Sequence, residues 1–189
     1  MDSKKRFFLI HGWGGHPNTG WQPWLSACLE SKGHEVKMLK MPNTDSPRLT
    51  EWVQMIEEAI GEPDESCILV GHSLGCISIV RYLERLKDNQ KIGGAVLVSS
   101  FYEDLGDGYE EINEFIKNEA DWELVKIRSN NFSIIHSEDD PVVPIVFAER
   151  LAKKLGIDVC RTLNRGHFSE EDSRKDAPEI LSIIERVIN

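Results

Sequence analysis

The chain has 189 residues, of which 40% are hydrophobic and 29% are charged, and its formal net charge at pH 7 is −10. This length predicts one domain, residues 1–189, with enough apolar side chains for a sizeable core. An acidic chain without basic clusters is a poor ligand for nucleic acid and for anionic membranes, so we expect neither as a partner.

The apolar run near the N-terminus is only Phe7–Ile10, which is shorter than a signal-peptide core or a membrane span. We therefore expect a cytoplasmic protein. No Cys-x-x-Cys pair and no His/Cys cluster with zinc spacing is present, so we expect no metal and reduced thiols at Cys28, Cys67, Cys76 and Cys160.

Short apolar runs alternate with segments of helical periodicity along the chain. The runs predict strands at Phe7–Ile10, Val36–Leu39, Cys67–Val70, Ala95–Val98, Phe132–Ile135 and Val159–Leu163. Apolar stripes predict helices around 24–29, 49–56, 74–83, 147–155 and 180–187. Strands that alternate with helices indicate a parallel sheet covered on both sides, with its active site at the carboxyl ends of the strands.

Residues at the helix ends predict where two of these helices begin or end. Ser46 and Pro47 fit the N-cap and the first position of the second helix, and Gly61 fits its end. Gly156 would end the fourth helix in the same way.

The third predicted strand runs directly into the letters GHSLG, which place Ser73 between Gly71 and Gly75. So short a connection from strand to helix is typical of a nucleophile elbow, in which the glycines allow close packing and the serine hydroxyl projects above the sheet. The pattern predicts Ser73 as a nucleophile. The alternative is a glycine-rich turn with a solvated serine.

A serine hydroxyl needs a base, and the chain has six histidines. His167 lies on a loop after the last predicted strand, a position typical of catalytic side chains, and we expect it to be the base. His72 would point away from Ser73, and His136 would be a packed core histidine.

The base needs an acidic partner, and the letters SEDDP follow the fifth predicted strand. Three consecutive acids, Glu138, Asp139 and Asp140, could fill this role, and spacing alone does not choose among them. The alternative is a solvated acidic turn.

A tetrahedral intermediate also needs two backbone N–H donors. We expect one from Leu74, directly after the nucleophile. The other would come from the glycine-rich loop after the first strand, from Trp13 or alternatively from Gly14.

The letters HGWGG, GHSLG, SEDDPVVP and GHF, in this order, resemble those of an α/β-hydrolase. The short length, KMPNTDSPR and VSSFYEDLGD make the chain similar to the small serine hydrolases of the retinoblastoma-binding protein 9 family. This resemblance implies Ser73 as nucleophile, His167 as base and Asp140 as the acid. It also implies a three-layer αβα sandwich with a mainly parallel six-stranded sheet and no large lid domain.

We therefore interpret the chain as a carboxylesterase-like serine hydrolase that forms an acyl-enzyme on Ser73 and requires no cofactor. Its substrate would be a small soluble ester, thioester or amide. One alternative is a hydrolase fold that serves as a protein-binding module with little or no catalytic role, although no motif identifies a protein partner. A narrower alternative is an aminopeptidase-like amidase. Because the base must be neutral, activity should rise with pH through about 6 to 7.

An acidic segment, defined here as residues 103–123, follows the fourth predicted strand and carries nine carboxylates opposed only by Lys117. It lies on the expected active-site side of the sheet and has apolar residues at helical spacing. One hypothesis is that its field disfavours anionic substrates. The alternative is a solvated helix face.

Overall fold

A computed structural model describes residues 4–169 and 175–188. Six strands are present in this part of the chain: β1 Arg6–Ile10, β2 Glu35–Leu39, β3 Cys67–His72, β4 Gly94–Val98, β5 Phe132–Ser137 and β6 Val159–Thr162. The α-helices in the same part are α1 Gln22–Ser31, α2 Leu49–Ile60, α3 Leu74–Glu84, α4 Trp122–Ile127, α5 Ile145–Leu155 and α6 Pro178–Ile188.

The strands form one sheet in the order β2-β1-β3-β4-β5-β6, and every neighbouring pair is parallel. All six predicted strands are confirmed, with ends that differ by one or two residues. The direction of winding reverses between β1 and β3. Ligands of open parallel sheets bind outside the carboxyl ends of strands at such a reversal.

Side chains that alternate along the buried strands divide the core into two apolar layers. Phe8, Ile10 and Leu69 pack with α2, α3 and α5 on one face, whereas Phe7 and Leu9 pack with α1 and α6 on the other. Parallel strands buried on both faces read as continuous apolar runs, which explains why the sequence pattern located them. The result is the three-layer αβα sandwich that the resemblance implied, and its described residues contain no separate lid domain.

The beginning of α2 differs from the prediction. Ser46 lies in a turn, where its N–H donates to Asn43 O. The backbone of Arg48 is extended, so the helix begins at Leu49. Leu49 N–H, which has no acceptor within the helix, donates instead to the Glu114 carboxylate. The predicted helix ends at Gly61 and Gly156 are confirmed.

The acidic segment contains a short helix, as the spacing of its apolar residues predicted, and this helix is of the 3₁₀ type at Glu110–Phe115. Ile112 and Phe115 are buried against the layer that holds α2 and α3. This segment therefore covers the edge of the core near the carboxyl ends of the strands.

Candidate active site

The connection from β3 to α3 consists of one residue, Ser73. Its φ of 51° and ψ of −117° put a non-glycine residue in a region that side chains rarely occupy. Ser73 N–H donates to Val98 O at 2.9 Å, which ties the turn to β4. Backbone strain of this kind is characteristic of functional sites, where the surrounding structure maintains it.

Gly71 and Gly75 permit the close contact of strand, helix and first loop around this turn. A Cβ atom on Gly75 would clash with Ile10 O and lie 2.8 Å from His11 O, and one on Gly71 would lie 2.8 Å from Cys76 N. The two glycines are therefore required by backbone packing.

Asp140 and His167 are brought together from separate loops. His167 Nδ1–H donates to the Asp140 carboxylate, at 2.8 Å from Oδ2 and 3.1 Å from Oδ1. The Asp140 side chain is fully buried, and its Oδ1 also accepts the amides of Val142 and Val143, each at 2.9 Å. Burial raises the Asp140 pKa, but the hydrogen bond and charge of His167 together with the two amides leave it below its ordinary value.

The other two acids of this turn face elsewhere. Asp139 is exposed and accepts a hydrogen bond from the Ser137 hydroxyl. Glu138 is exposed and lies 3.6 Å from the Arg161 guanidinium. Asp140 is thus the member of the trio that contacts His167.

Ser73 and His167 both line a cavity of about 440 Å³ outside the carboxyl ends of β1 and β3. Trp13, Trp21 and Val142 contribute apolar surface to its wall. The Ser73 hydroxyl and the His167 ring share this space without a hydrogen bond between them in the described structure. Such bonds are often long in a site without substrate and tighten when it binds.

The backbone amides around the first loop differ in their bonding. Gly14 N–H donates to Thr44 O at 2.9 Å and is therefore occupied. Within the described residues, neither Trp13 N–H nor Leu74 N–H donates to another protein group. Among the two candidates on the first loop, only Trp13 thus keeps its amide available for a ligand.

His72 also lines the cavity. Its Nε2–H donates to the main-chain carbonyl of His167 at 2.7 Å. Burial, assisted by the nearby His167, lowers the pKa of His72 to about 3, so this ring is neutral. The sequence signal that could have identified His72 as a residue that holds the His167 loop is its position directly before Ser73.

The loop that carries His167 has a second side-chain donor. Trp21 Nε1–H donates to Phe168 O at 3.0 Å, and Phe168 has a φ of 53°, which is rare for a bulky residue. The consecutive main-chain carbonyls of His167 and Phe168 are thus each held by a ring N–H group. No local pattern identifies Trp21, because it lies 147 residues away from its partner.

His136 is a buried core histidine, as expected, but it also lies beside the acid. Its Nε2–H donates to Val143 O at 2.8 Å and is 3.3 Å from Asp140 Oδ2. Burial lowers the pKa of His136, which keeps the ring neutral. The signal in the sequence is its place at the end of β5, four residues before Asp140.

The acidic segment lies apart from the lining of this cavity, as far as the described residues show. It reaches the first loop through Tyr109, whose ring centroid is 6.0 Å from that of Trp13. Three of its carboxylates form ion pairs outside the segment's own acidic run, namely Glu103 with Arg150, Glu119 with Lys154 and Glu123 with Lys126. The segment therefore serves the fold as well as adding charge.

Two structural features are absent from the described residues. No group of three or more histidine, cysteine, aspartate or glutamate side chains in that part of the chain is arranged to hold a metal ion. None of its helices has the length and apolarity needed to cross a membrane.

Comparison with known proteins connects this geometry to a protein family. The family model described as serine hydrolase matches residues 7–186. The hydrolase YdeN of Bacillus subtilis is 31% identical over 180 residues, covering 95% of this chain and 94% of its own. The crystal structure of the B. subtilis ydeN gene product has a TM-score of 0.93 and 30% identity, covering 97% of this chain and 98% of that one. Serine hydrolase RBBP9 of Rattus norvegicus is 28% identical over 175 residues, covering 91% of each chain.

Proposed function

This chain belongs to the serine hydrolase family, and from that premise we propose that it cleaves a small ester, thioester or amide through an acyl-enzyme on Ser73. The observation that carries the proposal is the buried Asp140 carboxylate, both oxygens of which face Nδ1 of His167, on a cavity shared with Ser73. An acid, an imidazole and a hydroxyl in this relation are the parts of a Ser-His-Asp triad.

The hydrogen bond to Asp140 determines which nitrogen of His167 acts as the base. Because a carboxylate accepts at Nδ1, the proton of the neutral ring lies on Nδ1, and Nε2 keeps its lone pair. The Ser73 hydroxyl attacks the acyl carbon while Nε2 takes its proton, and the same proton then goes to the leaving group. Water then attacks the acyl-enzyme while Nε2 takes its proton. The bond from the acyl carbon to Ser73 Oγ breaks, and Nε2 returns the proton to that oxygen as the carboxylic acid product leaves.

The negative oxygen of each tetrahedral intermediate requires nearby N–H donors. The amides of Trp13 and Leu74 suit this role, since both lie beside Ser73 in the chain or in space and have no acceptor within the described residues. Leu74 also begins α3, whose N-terminus favours negative charge. Loss of one such donor typically costs about 100- to 1,000-fold in turnover.

The cavity supports a small acyl compound as the substrate. Its volume of about 440 Å³ and its tryptophan and histidine lining suit a compact, uncharged group. Each step of the mechanism uses side chains of this chain and water. The cytoplasmic location expected from the sequence stays a prediction.

The proposal is tested by pre-steady-state hydrolysis of p-nitrophenyl acetate and p-nitrophenyl butyrate, with aminoacyl p-nitroanilides as the amidase comparison. An acyl-enzyme predicts a p-nitrophenol burst of about one equivalent per active site wherever deacylation is the slower step. Ser73→Ala should abolish both the burst and the turnover. Turnover that survives in Ser73→Ala would contradict the proposed function, and preference for the anilides would favour the amidase alternative.

A further inference from the structure

His11 is a buried histidine that the proposed mechanism does not use. It follows the last residue of β1, only 3% of its surface is exposed, and its ring forms part of the cavity wall. The ring makes two hydrogen bonds to the main chain. Nδ1 lies 2.8 Å from Gly12 O, and Nε2 lies 3.2 Å from the amide nitrogen of Met41.

These two contacts determine the protonation of the ring. A carbonyl oxygen can only accept, so Nδ1 carries a proton and donates it to Gly12 O. A backbone amide can only donate, so Nε2 of His11 is unprotonated and accepts from Met41 N–H. Both contacts together require the neutral tautomer with its proton on Nδ1. Burial lowers the pKa of His11, in agreement with a neutral ring.

The bond to Gly12 O determines the direction of the next amide. All described peptide bonds are trans, and in a trans peptide the C=O and N–H groups point in opposite directions. Gly12 O accepts from His11 Nδ1 and also from Gly15 N–H at 3.1 Å. Trp13 N–H therefore points away from His11 and from the turn that Gly15 closes.

This peptide lies directly against the proposed nucleophile. A Cβ atom on Gly12 would be 3.1 Å from Ser73 Cβ, so the loop and the elbow are in van der Waals contact. The Trp13 side chain is anchored separately, because its Nε1–H donates to Asp45 O at 3.1 Å. The orientation of the 12–13 peptide is thus controlled by the acceptor position of Gly12 O.

We propose that His11 is a positioning residue for the oxyanion hole, which holds Gly12 O so that Trp13 N–H is presented to the oxyanion. The inference rests on the proposed function, since it assigns His11 a role in that same reaction. His11 acts through Trp13 and does not touch the reacting atoms. Its ring is kept in place by the edge of Trp52, at a centroid distance of 5.7 Å, as well as by Met41.

Two substitutions separate the two hydrogen bonds of the ring. The shorter amide of His11→Asn reaches the position of Nδ1 and can still donate to Gly12 O. The longer amide of His11→Gln reaches the position of Nε2, where its oxygen can accept from Met41 N–H. The side-chain donor to Gly12 O is then lost, and the bond from Gly15 N–H remains. The two variants are therefore matched in polarity, and they differ in whether the side chain can donate to Gly12 O.

We expect His11→Gln to lower kcat for a p-nitrophenyl ester by about 10- to 100-fold, less than outright loss of an oxyanion donor, with KM changed less than about threefold. Affinity for a trifluoromethyl ketone, which forms a tetrahedral oxyanion on the serine, should fall by a similar factor. His11→Asn should recover most of both losses. Far-ultraviolet circular dichroism and thermal midpoints establish that the variants are folded.

The outcomes distinguish this inference from the proposed function. Wild-type turnover that depends on Ser73, together with equal kcat in wild type and His11→Gln, would overturn the inference and leave the function standing. A loss in His11→Asn as large as that in His11→Gln would also overturn it. If His11→Gln does not fold, His11→Asn alone decides, because it must retain affinity for the ketone. Turnover that is independent of Ser73 would remove both proposals.

Discussion

Asp140 is held by more donors than its place in an acidic turn suggests. His167 Nδ1–H and the amides of Val142 and Val143 all donate to its carboxylate, and His136 Nε2 lies 3.3 Å away. A buried carboxylate that is satisfied in this way stays ionised and keeps a fixed direction. It can therefore hold His167 in one tautomer and, in the proposed mechanism, stabilise the imidazolium.

Asp140→Asn is expected to lower kcat by about 10³- to 10⁴-fold with a small change in KM. The neutral amide cannot stabilise the imidazolium, and its N–H group favours the tautomer in which His167 Nε2 carries the proton. Steady-state kinetics on a p-nitrophenyl ester measures the effect.

Asp139→Asn is the matched control for that substitution. The Asp139 side chain is exposed and bonded to Ser137, so its replacement should leave kcat within about twofold. Equal effects of the two substitutions would contradict the role of Asp140.

Three histidines near the site form similar hydrogen bonds to main-chain carbonyls. His72 bonds the carbonyl of His167, His136 bonds that of Val143, and His11 bonds that of Gly12. All three rings have a lowered pKa, mainly because of desolvation. Neutral imidazoles supply N–H donors here without adding a buried charge.

At the scale of elements, α2 depends on a partner that is distant in sequence. Its first amide, Leu49 N–H, is accepted by Glu114 of the acidic segment, 65 residues away. A carboxylate at a helix N-terminus both accepts the orphan donor and interacts favourably with the helix dipole. The acidic segment thus connects α2 to the rim of the active-site cavity.

Glu114→Ala is expected to reduce the free energy of unfolding by about 0.5–2 kcal/mol, which is the usual range for a lost N-cap. Urea denaturation followed by circular dichroism measures it. Glu111→Ala is the matched control, because Glu111 is an exposed acid of the same segment and its loss should change stability by less than about 0.5 kcal/mol. Equal stability of the Glu114 variant and wild type would show that Leu49 N–H needs no protein acceptor.

Elements set by local pattern were predictable from the sequence, and those set by distant contacts were not. Strands buried on both faces appear as apolar runs, and the tight turn at Ser73 requires glycines at 71 and 75 whatever its environment. Ser46 is a good N-cap by type, but the actual start of α2 follows from the extended Arg48 and from Glu114.

The residues of the candidate site also divide into those that the local sequence predicted and those that depend on distant contacts. Ser73, His167 and the acidic turn were recognised from the residues, whereas the choice of Asp140 needed a family resemblance. Its contact with His167 spans 27 residues, and that of His72 with the His167 carbonyl spans 95. Roles of this kind depend on where loops meet, which periodicity and spacing do not encode.

At the scale of the whole molecule, the strand order concentrates the proposed machinery in one place. The direction in which the chain winds through the parallel sheet reverses between β1 and β3. The glycine-rich loop after β1 and the elbow after β3 are therefore neighbours. The loops after β5 and β6 bring Asp140 and His167 to the same edge. The proposed site is therefore assembled within a short chain, which shares its fold with the ydeN product.

The most direct test of the account is the site at which a fluorophosphonate probe reacts, located by mass spectrometry of the labelled peptides. The account predicts one adduct, on Ser73, that is absent in Ser73→Ala and forms much more slowly in His167→Ala, because an activated serine hydroxyl attacks the phosphorus. An unlabelled wild-type protein, or an adduct on another residue that persists in Ser73→Ala, would contradict it.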